Sequence, residues 1–246
     1  MSKHRPIDRT RWQASQAKTI ARWKKRSPNV DREEQEKNLL PILLRYADDY
    51  PEDGHILEIG CGPICLSQYL PQEHKTYLDP LIDDFRRQFP GMLPEGELLA
   101  ATAERINKPA ESFDMVICLN TISFSLNPEL VMHEIERVLK PGGTLIVDMR
   151  THSPLEARLH YWAEQLFPYF CTKTRPYYYS LRGIRRTLNR HFIIKEEIKQ
   201  HKPKLWIPFF KREQMMFICA PSERKTEAAR AEGNNVEISS VTAQPA

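Results

Sequence analysis

A carboxylate, two glycines behind it and a second acid 21 residues further on are the residues best spaced to do chemistry: Glu58, Gly60, Gly62 and Asp79. Residues 57–63 read Leu-Glu-Ile-Gly-Cys-Gly-Pro, a short apolar run that ends in a glycine turn. Such a turn lets backbone approach a ligand closely, and a helix starting there points free N–H groups at it. Pro63 suits the first helical position, where its missing N–H costs nothing. Asp79 closes the next apolar stretch, at roughly the 20-residue spacing that sets a carboxylate against ribose hydroxyls in nucleotide-binding folds. A carboxylate fits that task because it accepts two hydrogen bonds from a vicinal diol. Asn120, Arg150 and His152 follow later strand-like runs, which places them near the mouth of the same pocket. His152 has two readings, a general base or a surface loop histidine.

The elements that must hold these residues follow from the apolar pattern. Strand-like runs occupy 55–60, 76–79, 97–102, 113–120 and 144–149. Asp31 is placed to cap a helix carrying Leu39, Leu40, Ile42, Leu43 and Tyr46, with Pro41 expected to kink or split it. Asn127 and Pro128 open another helix, in which Val131, Ile135 and Val138 share one side. Residues 140–143, Lys-Pro-Gly-Gly, close it. Strands alternating with helices predict βαβ units and a parallel sheet covered on both faces. Residues 151–179 are rich in aromatics (Tyr161, Trp162, Phe167, Tyr169, Phe170, Tyr177, Tyr178 and Tyr179) and predict an inserted helical segment, whose aromatic stretch 161–179 is either a lid or packed core. Ser180 caps a helix through Leu188, and two strands follow at 191–198 and 214–220. The resulting division is a basic flexible arm or loosely attached helix over 1–30, one domain over 31–220 with a helical aromatic insertion at 151–190, and a disordered tail over 221–246.

Composition limits the class of protein. The chain of 246 residues is 41% hydrophobic and 28% charged, with no apolar run long enough to span a bilayer, so a globular domain is expected, with peripheral membrane contact left open. The basic N-terminus lacks the apolar stretch of a secretory signal, so export is not expected. Five scattered cysteines argue for a reducing compartment, and the cytoplasm is the expected setting. Cys61 and Cys65 lack a second ligand pair, so no metal site is expected. The overall charge of +4 is uneven: residues 1–30 hold nine Lys or Arg against Asp8 alone, a net of +8, which leaves −4 for the remainder.

Four segments in order, LEIGCGP (57–63), TYLDP (76–80), AERI with ESFDMVICLNTISF (103–124) and RVLKPGGTLIVD (137–148), resemble the motifs of class I S-adenosylmethionine-dependent methyltransferases, of the type 11-like domain. The resemblance covers roughly 38–220. It implies a Rossmann-like, doubly wound α/β sheet of seven strands, mostly parallel with one antiparallel strand placed last but one in sequence, and a helical insertion after the fifth strand. It implies S-adenosylmethionine as cofactor. Glu58 then matches the acid that orients the glycine loop and the cofactor's amino end. Gly60, Cys61 and Gly62 match the loop under the methionine, and Asp79 the ribose ligand. Thr102, Ala103 and Glu104 fall where adenine is edged, and Asn120 beside methionine and substrate. Arg150 and His152 are the candidate substrate residues. Ile64 stands where the family often has a third glycine, and Thr102 where Asp is common.

On this reading the acceptor is a small molecule or a glycan- or lipid-linked group. Arg182, Arg185, Arg186 and Arg190 suit either an acidic acceptor or a solvated helix face. Lys202, Lys204, Trp206, Phe209, Phe210 and Lys211 suit a lipid surface, nucleic acid or a packed connection. Two alternatives stand beside it: an RNA or protein methyltransferase docking through the basic arm, and a non-catalytic binding module. Leu119-Asn120-Thr121-Ile122 is not the tetrad used for exocyclic base amines, which weighs against nucleic acid as acceptor.

Overall fold

The computed structural model of the protein describes residues 7–25, 28–166, 176–201 and 212–222. Seven strands form one sheet: β1 (His55–Ile59), β2 (His74–Leu78), β3 (Glu97–Leu99), β4 (Phe113–Leu119), β5 (Leu139–His152), β6 (Phe192–His201) and β7 (Arg212–Pro221). Their order is β3-β2-β1-β4-β5-β7-β6, with β1 to β5 pairing in parallel. The antiparallel strand is β7, inserted between β5 and β6, so it is the last strand in sequence and not the last but one.

The central strands are apolar because both their faces are covered. Alternate side chains of β4 divide between two cores, Val116 and Cys118 on one face, Met115 and Ile117 on the other. The first face is covered by α4 (Pro128–Val138) and α6 (Leu181–Leu188), through Val131, Met132, Ile135, Val138, Ile184 and Leu188. The second is covered by α2 (Pro28–Ala47) through Leu39, Leu43 and Ala47, at successive helical turns. Helix α2 starts at Pro28, ahead of the expected Asp31 cap, and runs unbroken through Pro41. Burying the 39/43/47 stripe outweighs the one backbone hydrogen bond that proline removes.

The predicted caps form. The Asn127 side chain accepts from the Glu129 amide at the start of α4, and the Ser180 hydroxyl accepts from the Gly183 amide at the start of α6. Strand β3 stops at Leu99, short of the 97–102 expected, while β5 begins at Leu139 and runs through the two glycines. No α-helix follows the glycine turn at 60–62. The chain passes through Cys65, at φ 50°, into a 3-10 helix over Leu66–Tyr69. A left-handed residue cannot continue a right-handed helix, which is why the predicted element is cut short. Helix α3 (Ile82–Gln88) then joins β2 to β3.

After β5 the insertion opens with α5 (Pro154–Leu166). Tyr177 and Tyr179 are buried in the core, whereas Tyr161 and Trp162 are exposed. Phe167, Tyr169 and Phe170 lie outside the described residues, as do Lys202, Lys204, Trp206, Phe209, Phe210, Lys211 and the tail from 223. The basic arm is helical over α1 (Arg9–Lys25).

Removing the α4 cap with Asn127→Ala should cost about 1 kcal/mol, which lowers Tm by about 2–4 °C in a chain of this size. An unchanged melting curve would show that the Asn127 contact contributes nothing net.

Candidate active site

The C-terminal ends of β1, β2, β4 and β5 open on one cleft of about 440 Å³, within the range of small-molecule sites. Glu58, Gly60, Cys61, Gly62, Asp79, Thr102, Ala103, Glu104, Asn120 and Arg150 all line it. His152 is not among them.

The glycine turn needs its glycines. Gly60 has φ +68°, and a Cβ there would lie 2.0 Å from the Thr121 hydroxyl oxygen. That hydroxyl sits 3.1 Å from the carbonyl of Ile59 and 2.9 Å from that of Leu119, tying the ends of β1 and β4 together. Gly62 has φ +57°. Both positions favour a residue without a side chain. The amides of the turn are not free, contrary to the expectation from sequence. Gly60 N–H donates to the Leu78 carbonyl at 2.6 Å, with Cys61 N–H 3.4 Å from the same oxygen. Gly62 N–H donates to Asp79 Oδ2 at 3.1 Å. With no helix following, the turn satisfies its donors on the end of β2.

Asp79 therefore holds the turn in place. Its other oxygen accepts from the Leu81 amide at 2.9 Å. Burial pushes its carboxyl up to about 6, against the pull of the two amide bonds. Each oxygen retains a lone pair for a further donor. Glu58 is buried too. It accepts from the amides of Leu66 and Ser67 and from the Ser67 hydroxyl, 2.6 to 3.0 Å away, so it anchors the start of the 3-10 helix. Desolvation pushes its pKa upward despite those bonds.

At the other side of β1, Asn120 adopts φ 54°, an uncommon left-handed conformation for a non-glycine residue. Its side chain donates to Asp148 at 2.9 Å and accepts from Gln214, which also donates to Asp148 at 2.7 Å. This triad joins β4, β5 and β7. Glu104 faces the cleft but accepts from the amides of Leu126 and Asn127, which fixes the loop after β4. Cys118 is buried below, its thiol pushed up to about 12 by desolvation, so it stays protonated.

His152 lies outside the cleft lining, 6% exposed, with Nδ1 3.2 Å from Glu156 and its ring against Tyr178. Glu156 accepts from Arg212. Burial raises its pKa, but the bonds and charges of Arg212 and His152 outweigh this and hold it below the usual value. Neither sequence reading of His152 describes this buried cluster, and nothing places its ring at a reacting atom. Among the described residues, none of 151–179 lines the cleft and no group of three His, Cys, Asp or Glu is placed to hold a metal ion.

The cleft is covered by α1. Trp12, Gln16, Thr19 and Trp23, spaced four, three and four residues apart, present one helical face to it. Trp12 Nε1–H donates to the Phe124 carbonyl at 3.2 Å, and the Trp23 ring lies 3.5 Å from where a Cβ on Gly62 would stand. The sequence reading took residues 1–30 for their charge and missed this stripe. Two tryptophans flanking Gln and Thr at 4-3-4 spacing were the available signal.

Residues 57–147 match the family profile described as a methyltransferase domain. A thiol S-methyltransferase of Rattus norvegicus is 29% identical over 121 residues, 46% of this chain and 49% of that protein, so the match spans about half the relative's length. Among solved structures, protein PH0226 of Pyrococcus horikoshii superposes with a TM-score of 0.58 at 18% identity, covering 77% of this chain and 91% of that one. A geranyl diphosphate methyltransferase in complex with S-adenosylmethionine gives a TM-score of 0.55 at 11% identity, covering 74% and 84%. These likenesses to solved structures establish the Rossmann-like methyltransferase fold. The glycine turn, the strand order and the profile match agree: residues 57–147 form a methyltransferase domain on a Rossmann-like fold, similar to the class I S-adenosylmethionine-dependent methyltransferases.

Proposed function

We propose that the protein transfers the methyl group of S-adenosylmethionine to a small-molecule acceptor bound beneath α1. The observation that carries this reading is the meeting of Gly60, Gly62 and Asp79 at one cleft, with Thr102, Ala103 and Glu104 on its wall. The methyl carbon of the sulfonium is already activated: an acceptor lone pair forms the new bond, the carbon–sulfur bond breaks, and its electrons return to sulfur. The chain's own task is to align donor and acceptor and to exclude water.

Asp79 is assigned to the ribose hydroxyls through its two remaining lone pairs. The glycine turn brings backbone against the methionine portion, and Glu58 keeps that turn's exit rigid. Thr102, Ala103 and Glu104 are assigned to the edge of adenine. Asn120, fixed by Asp148 and Gln214, stands between donor and acceptor. No residue on the cleft is assigned as general base; a thiolate or an amine acceptor requires none with a raised pKa. The curated relative named as a thiol S-methyltransferase supports sulfur among the acceptor atoms to test.

The cleft-facing stripe of α1 favours a small acceptor over docking of nucleic acid by a basic arm, because the helix covers the cleft with Trp12 and Trp23. None of the described helices is long and apolar enough to cross a membrane. The unpaired thiols of Cys61, Cys65, Cys118 and Cys219 support a cytoplasmic setting.

Turnover of labelled S-adenosylmethionine across thiols, phenols, amines, carboxylates and RNA should label a small-molecule class, and labelling of RNA alone would refute this reading. Asp79→Ala should weaken donor binding by about 1–3 kcal/mol, the range for orphaned hydrogen-bonding partners. Calorimetric titration checks it, and unchanged affinity removes the ribose assignment. The wild-type affinity should also fall as pH drops below about 6, where the Asp79 carboxyl takes up its proton. A flat profile down to pH 5 would contradict the ionised carboxylate as ligand.

A further inference from the structure

The two flanks of the cleft carry opposite charge. Glu58 and Asp79 stand on β1 and at the end of β2. Arg150 stands on β5, across β4 from β1. Arg150 is exposed, and its guanidinium has neither a hydrogen-bond nor an ion-pair partner among the described residues. This distinguishes it from Arg137, Arg185, Arg190 and Arg212, whose guanidinium groups all meet carboxylates. It is paired in register with Gln214, which donates to Asn120 and Asp148. The strand beneath Arg150 is therefore fixed while its fork stays open to the cleft. Of the carboxylates lining the cleft, Glu58, Asp79 and Glu104 already accept backbone amides.

The cleft also carries flat apolar surface. Trp12 is held to the Phe124 carbonyl, and the Arg22 guanidinium lies 5.6 Å from the centre of the Phe124 ring. The half-buried Trp12 and Phe124 and the unpartnered Arg150 guanidinium line the same cleft, which therefore has both apolar ring surface and a cationic group to offer one ligand. A guanidinium recognises planar or tetrahedral anions by paired N–H bonds, which an amide or hydroxyl cannot match in charge. Aromatic walls favour a flat body by stacking.

We infer that the acceptor is an anionic small molecule, with an aromatic or similarly flat apolar body seated on Trp12 and Phe124 and a carboxylate or phosphate anchored by Arg150. The inference rests on the methyltransferase reading and narrows it to an acceptor class. Arg150 is a specificity-determining residue in this account; it takes no part in bond making.

Isothermal titration of the full chain saturated with S-adenosylhomocysteine tests this with three probes: phenylacetate, phenyl phosphate and the neutral phenylacetamide. At least one anion should bind tenfold or more tighter than the amide, and the stronger of the two anions identifies the group. Arg150→Gln should bring the anions down to the level of the amide while leaving the affinity for S-adenosylhomocysteine within about twofold. Arg150→Lys should retain part of the preference. Trp12→Ala should weaken all three probes together, a second variant independent of the charge. The inference is overturned if the amide binds as tightly as both anions, if neither anion binds, if the preference survives Arg150→Gln, or if that variant loses S-adenosylhomocysteine instead. Failure of wild type to bind S-adenosylhomocysteine is a different result, which overturns the methyltransferase reading itself.

Discussion

One buried carboxylate organises the site. Asp79 accepts from Gly62 N–H and Leu81 N–H, so it ties the turn after β1 to the turn after β2 at the point where the two strand ends face the cleft. Without it the Gly62 donor would be buried without its partner, leaving the turn tied to β2 only through the Leu78 carbonyl. The arrangement has a cost. A carboxyl whose folded pKa is about 6, above the ~3.9 of an unfolded chain, is stabilised in the fold as the neutral acid. The folded state then binds more protons than the unfolded one between those values, so its stability falls as pH rises from about 4 to about 6, by on the order of 3 kcal/mol, and is level above that.

The rest of the architecture serves to hold that pair of turns still. Continuous apolar strands, covered on one face by α4 and α6 and on the other by α2, leave only the strand ends for chemistry. Two further polar ties fix those ends. Glu58 secures the exit of the glycine turn, and the Asn120–Asp148–Gln214 triad locks β4, β5 and β7 together at their cleft ends. The left-handed Asn120 belongs to that second tie, and strained backbone beside a cleft is a common mark of a working position.

Much of this was legible because the signals were local. Apolar runs found the strands, and Asn127, Pro128 and Ser180 marked helix starts through caps that depend on one side chain and an amide two or three residues away. The same reasoning failed where the decision was tertiary. Pro41 did not break α2 because the stripe of Leu39, Leu43 and Ala47 packs on the sheet. Pro63 did not start an α-helix because Cys65 turns left-handed while Glu58 captures the amides of Leu66 and Ser67. His152, two residues beyond Arg150, is buried against Glu156, whose other partner, Arg212, comes from β7 some 56 residues on, a contact that no local spacing reveals. In α1, the positive charge of the segment concealed the aromatic stripe that faces the cleft.

The most direct measurement is a crystal structure of the protein with S-adenosylhomocysteine. The account predicts both ribose hydroxyls within hydrogen-bonding distance, about 2.7 Å, of the Asp79 carboxylate, with the homocysteine end against the turn at 60–62 and adenine beside Thr102 and Ala103. A nucleoside seated elsewhere, or a cleft left empty at saturating concentration, would contradict it.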